Sequence, residues 1–326
     1  MMTAYRSNGE SVVLTVDKPW DALPPDVIWL DMSFPTKEED SYAERLTGIE
    51  VPTREDLRDI EPSSRLYADE RAVYLTGSLV CYADTPRPVL TDVAFVLTPS
   101  CLVTVRYDNP KSFALFAAAI CRVPGGVKSA PMMLLKLLET ITDRTAEVLE
   151  HAEVRGDALL MKIFGENGGE DRNHQPKSLE RLLGAIAEHH RLVSKTRGSL
   201  ASLSRLMTFV TGVESIKAEK DTKALTHSIA HDIQSLSEHA NFISGNITFL
   251  LDASLGLINV EQNGIIKIFS IASVVLLPPT LVASIYGMNF KYMPELEWIL
   301  GYPTSLILMV VSAIIPYFFF RWKGWL

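Results

Sequence analysis

The spacing of hydrophobic and polar positions changes along the chain. In the first third, short runs rich in β-branched and aromatic residues alternate with turn residues, which predicts strands. The predicted strands cover residues 12–16, 27–32, 72–82, 91–97 and 101–107. Two short helices are predicted between them, because Thr36 with Glu39 and Thr53 with Asp56 have the spacing of helix-capping pairs. Residues 1–125 are therefore predicted to form an α/β subdomain.

From about residue 111 onward, apolar residues recur at the helical period instead. We predict a helical subdomain over residues 126–198, interrupted by a Gly-rich turn at 165–176. After residue 198 there is no proline until Pro278, so one helix is predicted from 199 to 286. At 1.5 Å per residue that helix is about 130 Å long. Its first part, residues 199–264, is interpreted as a stalk that joins a cytosolic head to a membrane segment.

Two long apolar segments follow the stalk. Residues 268–290 and 298–320 contain no charged residue, and about 20 apolar residues suffice to cross a bilayer. We assign residues 265–290 to a first transmembrane helix, 291–297 to an external loop and 298–320 to a second transmembrane helix. The two form a hairpin.

Charge and flanking residues set the expected orientation. Lys267 precedes the first span, and a short basic tail at residues 321–326 follows the second. Basic residues favour the cytosolic side, so both termini are expected to be cytosolic. The N-terminal residues also lack the apolar stretch of a signal peptide.

Composition narrows the function classes. The net charge of −8, without a cluster of Lys and Arg, argues against nucleic-acid binding. Cys81, Cys101 and Cys121 lack the spacing of a metal site and are expected to be buried thiols in a reducing compartment. Two membrane helices cannot enclose a pathway, so a transport function requires several copies in a closed ring.

One face of the first span is unusually polar for a membrane helix. At helical spacing it carries Ile266, Phe269 or Ser270, Ser273, Leu277, Thr280 and Ser284. Hydroxyl groups in a membrane are unfavourable unless they meet protein or water. The pattern is compatible with a water-lined axis and equally with helix packing through small residues.

The end of the first span carries a specific motif. Tyr286-Gly287-Met288-Asn289-Phe290, followed by Met293-Pro294-Glu295-Leu296, strongly resembles the CorA family of magnesium channels. The resemblance extends over residues 265–284 with Pro278-Pro279-Thr280, over the second span and its basic end, and more loosely over the head. It implies a homopentameric funnel in which an α/β head continues through a long stalk helix into the first transmembrane helix.

The resemblance also implies a function and its residues. The expected activity is passive, membrane-potential-driven Mg²⁺ influx across the cell inner membrane, with Co²⁺ and Ni²⁺ as further cargo and no organic cofactor. In the family a ring of the motif's Asn, here Asn289, holds the cation through its hydration shell, with Gly287 permitting the turn and Met288 between them. The other expected pore-lining residues are Ser284, Thr280, Leu277, Ser273, Phe269, Ile266, Asn263 and Asp252, with a ring of Asp252 also attracting the metal.

The external loop and the head are expected to control the flow of cations. Glu295 and Glu297 are expected to capture cations outside, although Lys291 stands where an acidic residue is often found in the family. Family regulation comes from Mg²⁺ bound between neighbouring heads. Acidic stretches at residues 38–40, 56–61 and 69–70 are candidate ligands, and the sequence does not choose among them.

Three other functions are considered. A zinc carrier of the same superfamily, with or without proton coupling, would use His227, His231, Asp232 and His239 of the stalk. A membrane-anchored metallohydrolase would use His189, His190 or the His227 pair, but the chain has no P-loop, nucleophile elbow or HExxH motif, so no enzyme activity is expected. A structural tether would require no polar face on the first span.

Overall fold

The computed structural model describes residues 1–17, 19–58, 65–120, 126–164, 176–289, 291, 293–294 and 298–324, with backbone only for 176–179. The chain divides into two compact units, Met1–Leu251 and Asp252–Leu326. The first unit contains a seven-stranded sheet in the order β2-β1-β3-β7-β6-β5-β4. Its strands are β1 Met2–Arg6, β2 Ser11–Leu14, β3 Val27–Ser33, β4 Leu66–Ala68, β5 Val73–Cys81, β6 Val89–Leu97 and β7 Leu102–Arg106.

The sheet is mixed, and the sequence pattern located most of it. Strands β3 and β7 pair in parallel, with Trp29 opposite Leu102, and the other neighbouring strands are antiparallel. The five predicted strands are present with ends shifted by a few residues. Strands β1 and β4 were not predicted. In β1 the side chains of Met2 and Ala4 are buried, yet the segment is short and lies among polar residues.

One face of the sheet packs on helix α1, Lys37–Thr47. Leu30, Met32, Val103 and Val105 form a core cluster there with Tyr42 of α1. The predicted capping pair at the start of α1 is confirmed: the Thr36 hydroxyl accepts from the Glu39 amide, and the Glu39 carboxylate accepts from the Thr36 amide. The second predicted helix begins with a 3-10 turn, Asp56–Arg58, and residues 59–64 after it lie outside the described residues.

The other face packs on three helices, α2 Lys111–Ile120, α3 Ala130–Phe164 and α4 Pro176–Val210. Trp29 of the sheet packs against Phe113 and Phe116 of α2. The Ser199 hydroxyl of α4 donates a 2.8 Å hydrogen bond to the Ser78 carbonyl of β5. The predicted subdomains at 1–125 and 126–198 therefore share one core in this structure. The predicted turn at 165–176 lies outside the described residues, except Pro176, which begins α4.

The prediction of one continuous helix from 199 to 286 is wrong in its first part. Helix α4 ends at Val210, a short helix α5 covers Glu214–Lys217, and the long helix α6 begins only at Lys220 and runs to Tyr286. The break follows from Gly212, whose amide bonds Phe209 in a tight turn, and from the extended backbone of Val213. Near the start of α6, the Thr222 hydroxyl donates a shared hydrogen bond to the Ile216 and Glu219 carbonyls, so these two acceptors have a partner.

Helices α6 and α7, Gly301–Trp322, are the candidates for crossing a membrane among the described residues. Both contain an 18-residue window with mean hydropathy near 2, namely 2.1 and 1.9. The second helix begins at Gly301 rather than 298, and Leu300 before it has a non-helical backbone and makes no side-chain capping bond. In the first unit, α6 buries a stripe at the helical period: Ile229, Ile233, Ala240, Ile243, Ile247 and Leu250.

Candidate pore-lining site

The Gly287-Met288-Asn289 motif follows directly on the last turn of α6. The Gly287 amide bonds the Ala283 carbonyl at 3.0 Å, and the Met288 amide bonds the Ile285 carbonyl at 3.2 Å. Asn289 comes next, outside the helix and exposed. Its carboxamide oxygen, a hydrogen-bond acceptor, is therefore presented at the end of a long helix.

Gly287 is required by a close approach rather than by a left-handed backbone. Its φ is not positive, unlike that of Gly48 or Gly126. A Cβ at Gly287 would lie 3.2 Å from the Ala283 carbonyl oxygen and 3.7 Å from that of Ser284. A larger residue would require the chain and the helix end to separate by a few tenths of an ångström, two residues before Asn289.

Two hydroxyl groups of the first span donate hydrogen bonds to carbonyls of their own helix. Thr280 Oγ1 donates to the Leu277 carbonyl and Ser273 Oγ donates to the Phe269 carbonyl, both at 2.8 Å. The donor of each hydroxyl is thus satisfied within an apolar segment. Each oxygen keeps acceptor capacity, which suits contact with the water protons of a hydrated cation.

Pro278 and Pro279 lie inside α6 and remove two helical donors. Proline has no amide hydrogen, so the carbonyls of Val274 and Val275 lose their usual partners four residues ahead. Main-chain acceptors therefore accompany the hydroxyl of Thr280 in the same stretch of the span.

The polar face follows one regular spacing along α6. Its positions alternate by three and four residues: Asp252, Gly256, Asn259, Asn263, Ile266, Ser270, Ser273, Leu277, Thr280, Ser284 and Gly287. Phe269 lies one position beside this series. All of them are exposed on the single chain, as are most residues of the span, so the spacing and not the exposure distinguishes this face. Ile271, on another side of α6, is 7% exposed.

The external loop is described only in part. Phe290, Glu295 and Glu297 lie outside the described residues, so the expected cation capture by the two glutamates stays a prediction. Lys291 is described and exposed close after the motif. Its positive charge lowers the local attraction for cations.

Several carboxylates of the candidate regulatory stretches bind the chain itself. Glu39 caps α1, and Asp56 accepts from both the amide and the hydroxyl of Thr53. Asp69 accepts from the amides of Ala72 and Arg71, and these bonds lower its pKa below the usual value. These three carboxylates therefore have local structural partners, while Glu61 lies outside the described residues.

The stalk histidines are dispersed. His231 Nδ1 is 3.9 Å from Asp232, and His239 Nε2 is 3.5 Å from Glu153 of α3. Within the part of the chain that the structure describes, no group of three His, Cys, Asp or Glu side chains is arranged to hold a metal ion. The zinc alternative therefore finds no prearranged site among the described residues of a single chain.

Three of the remaining candidate side chains in the head are buried. His189 is fully buried, and its ring nitrogens have no hydrogen-bond partner in the described part of the chain. Burial lowers its pKa to about 4, with Arg155 and His190 acting in the same direction. Cys81 and Cys101 are buried free thiols, and burial raises the pKa of Cys81 to about 12. Cys121 lies outside the described residues.

Sequence reasoning missed an electrostatic interaction between α3 and α6. Burial raises the pKa of Asp143, and the negative charges of Glu139 and Asp232 raise it further. Glu139 lies one turn before Asp143 on α3, but Asp232 is distant in sequence, so only helix packing brings it near Asp143. No periodic signal marks this approach in advance.

Comparison with known proteins gives a consistent result. The family profile described as "CorA-like Mg2+ transporter protein" matches residues 25–322. The magnesium transport protein CorA of Pasteurella multocida is 34% identical over 314 residues, covering 96% of each chain. That of Haemophilus influenzae is 33% identical over 326 residues, covering 100% of each. In fold, the chain is similar to the complete structure of the CorA magnesium transporter from Methanocaldococcus jannaschii, with a TM-score of 0.77 at 20% identity, covering 100% of this chain and 99% of that one.

Proposed function

The chain belongs to the family of CorA-like Mg²⁺ transporters, and we propose that its copies assemble into a homopentamer that conducts Mg²⁺ passively into the cell. The membrane potential drives the cation inward across the cell inner membrane, and both termini lie in the cytosol. The names of its relatives, magnesium transport protein CorA, support the choice of cargo. Two candidate membrane helices per chain support the need for several copies around one pathway.

The observation that carries the proposal is the placement of Asn289. It follows Gly287 and Met288 at the end of a 67-residue helix, and the polar positions of this helix recur every three and four residues. Mg²⁺ requires six oxygens in octahedral order and loses its water slowly. A ring of neutral carboxamide oxygens can bind the hydrated ion through its water without stripping it. Selection then follows the size and rigidity of the hydrated ion, which also admits Co²⁺ and Ni²⁺.

The other residues of the polar face of α6 give successive parts of the proposed pathway different chemical properties. The hydroxyls of Ser284, Thr280 and Ser273 offer acceptors to the hydration shell. The apolar Leu277, Phe269 and Ile266 form a constriction that closes by excluding water. Further inward, Asn263 and a ring of Asp252 carboxylates hold cations at the cytosolic end.

Two further elements are proposed to set the rate. Glu295 and Glu297 concentrate cations at the outer mouth against the charge of Lys291. Mg²⁺ bound between neighbouring heads holds the channel closed when cytosolic Mg²⁺ is plentiful. Membrane lipid surrounds the spans, and no organic cofactor takes part.

Flux into liposomes tests the proposal. Liposomes that contain the purified protein and a trapped Mg²⁺-sensitive dye should take up Mg²⁺ without ATP. An inert hexa-ammine cation should block this Mg²⁺ flux. Asn289→Ala should abolish conduction, whereas Asn241→Ala, an exposed amide elsewhere on α6, should leave it unchanged. Equal flux through both variants would contradict the proposed filter.

The same assay separates the alternatives. Flux that requires a pH gradient and prefers Zn²⁺ would assign the chain to a proton-coupled carrier. Intact oligomers without flux would favour a structural tether. Hydrolysis of an added ester or phosphate substrate, lost on removal of metal, would restore the enzyme hypothesis.

A further inference from the structure

The head contains a cavity of about 190 Å³ between the sheet and its helices. Its walls come from β5, from the turn that follows β5 and from helices α2, α3 and α4. Leu79, Ile141 and Val148 supply apolar side chains to these walls, and all three are buried. A cavity of about 150 Å³ is large enough to hold benzene, so this cavity can hold a small organic molecule.

The cavity borders the N-terminus of α2. The Phe113 amide bonds the Pro110 carbonyl at 3.0 Å, whereas the amides of Lys111 and Ser112 precede this first hydrogen bond of the helix. Such amides are donors without a partner inside the helix, and the helix dipole gives them a partial positive charge. Helix N-termini bind anions for this reason.

A buried hydroxyl group at the same helix end lacks a partner. Ser112 is only 4% exposed and lines the cavity, and its hydroxyl makes no hydrogen bond within the described residues. The other buried hydroxyls of the lining donate to main-chain carbonyls: Thr145 to Ile141, Thr196 to Leu192 and Ser199 to Ser78. An unpaired buried hydroxyl is unfavourable. The Ser112 hydroxyl therefore indicates an acceptor that the described part of the head does not supply.

Lys111 is the basic side chain of the lining that has donors to spare. Arg144 is held by two carboxylates, because both oxygens of Asp84 accept from its Nη2 at 2.8 Å and Glu147 Oε2 lies 2.5 Å from its Nη1. Lys111 Nζ donates to the same Asp84 at a longer distance of 3.1 Å, and an ammonium group has three N–H donors. Arg144 therefore neutralises Asp84, and the charge of Lys111 stays available to a ligand.

The turn after β5 is held in an unusual conformation at the cavity. Tyr82 has a φ of 57°, which a side chain of this size rarely adopts, and its hydroxyl donates to Asp108 Oδ1 at 2.7 Å. The Thr85 hydroxyl donates to the Tyr82 carbonyl at 2.8 Å. Residues that are held in such sparsely populated conformations cluster at ligand sites. The bonds of the turn form this wall of the cavity before a ligand arrives.

We propose that the cavity binds a small organic anion, whose carboxylate or phosphate group lies at Lys111, Ser112 and the start of α2. The apolar body of the ligand packs against Leu79 and the two apolar side chains of α3. An anion is favoured over a cation because the positive groups at this helix end have free donors, whereas the Asp84 carboxylate is already bound by Arg144. The proposal does not depend on the pore, since all of its residues lie in the first unit.

Ligands with one apolar body and different head groups test the charge preference. Butyrate, butyl phosphate, 1-butanol and butylammonium are added separately to the detergent-solubilised full-length protein at constant ionic strength and constant free Mg²⁺. A ligand that binds only the folded chain raises the temperature of unfolding as its concentration increases. Butyrate and butyl phosphate should do so, and the more effective of the two identifies the head group as carboxylate or phosphate. Equal effects of all four compounds, or no effect of either anion, would overturn the proposal.

Three substitutions test the position of the anion. Isothermal titration calorimetry with the more effective anion should show affinity weakened about tenfold in Lys111→Met and about threefold in Ser112→Ala. Asp84→Asn should strengthen binding severalfold, because it removes the carboxylate that competes for Lys111. The matched controls are Lys128→Met and Ser204→Ala, which are exposed positions outside the cavity lining and should keep the native affinity. Native affinity in Lys111→Met would overturn the proposed site.

The stability of the ligand-free protein gives a second readout. If the Ser112 hydroxyl lacks a partner without ligand, Ser112→Ala should not lower the temperature of unfolding when no anion is added. A lower temperature would show that the hydroxyl is bound within the protein and would contradict the proposal. Loss of Mg²⁺ flux in Asn289→Ala leaves both binding measurements unaffected, so the anion site and the proposed channel are tested separately.

Discussion

The imidazole of His189 on α4 packs directly against Gly156 on α3. A Cβ at Gly156 would lie 3.2 Å from His189 Nε2, closer than most such contacts. The glycine is therefore what allows the two helices to approach with the histidine between them. His189 is fully buried at this crossing.

Substitution at this crossing should destabilise the head. Gly156→Val places three side-chain carbons against a buried ring and should lower the unfolding free energy by about 1–3 kcal/mol. The control is Gly184→Ala on α4, where an added Cβ meets nothing within 4 Å of the described structure. That change should stabilise by about 0.5–1 kcal/mol because alanine favours a helix. Thermal unfolding of the detergent-solubilised chain measures the effect of both substitutions. Changes of the same sign in the two unfolding temperatures would contradict this account.

The buried His189 should make the free energy of unfolding depend on pH. Its pKa is lowered to about 4 in the fold, whereas an unfolded histidine has a pKa near 6.5. Between these values the unfolded chain binds the extra proton, so stability is complete above about pH 6.5 and falls as the pH decreases toward 4. The loss should reach at most about 3 kcal/mol.

A pH series of thermal midpoints checks this dependence. His189→Leu should flatten the profile between about pH 6.5 and 4. His227→Leu, at an exposed position on α6, should leave the profile as it is in the native chain. An unchanged profile in His189→Leu would assign the acid sensitivity to other groups.

A partly buried ion pair in the sheet should be strongly coupled. Arg106 Nη2 lies 2.9 Å from Asp31 Oδ2, and Thr104 also donates to Asp31. Arg106→Met leaves a buried carboxylate without its cation and should cost about 3–5 kcal/mol. The double variant Asp31→Leu with Arg106→Met should cost less than the sum of the single changes. Additive effects in denaturant titrations would show that the pair is not coupled.

A polar substitution in the proposed constriction should increase leakage. Leu277→Ser should raise Mg²⁺ flux severalfold under high cytosolic Mg²⁺, since a wetted constriction admits the hydrated ion. Leu276→Ser is the matched control, because Leu276 is exposed but lies off the polar face. Equal leakage in both variants, measured in liposomes, would place the constriction elsewhere.

Reversing the charge after the motif should strengthen cation capture. Lys291→Glu removes a positive charge near the mouth, so half-maximal flux should occur at a lower external Mg²⁺ concentration. The effect should shrink at high ionic strength because salt screens exposed charges. Lys291→Gln should give an intermediate value. A shift that does not change with salt would exclude a long-range electrostatic cause.

Local patterns in the sequence were enough to place many elements. Alternation located β3, β5, β6 and β7, because each is long and buried enough to carry a clear period. The capping pair at Thr36 marked the start of α1, because its bonds join residues three apart. By contrast, β4 has three residues, too few to show a period. Gly212 ends a helix that the spacing of its apolar neighbours predicted to continue.

The sequence by itself determined the two membrane spans, the spacing of the polar face and the motif at Asn289, because hydrophobic length and helical period act over neighbouring residues. It did not determine the meeting of Gly156 with His189, the pairing of Asp31 with Arg106, or the strand order of the sheet. Those contacts join residues distant along the chain, and only the packing of the folded core selects among the many pairings that such local patterns allow.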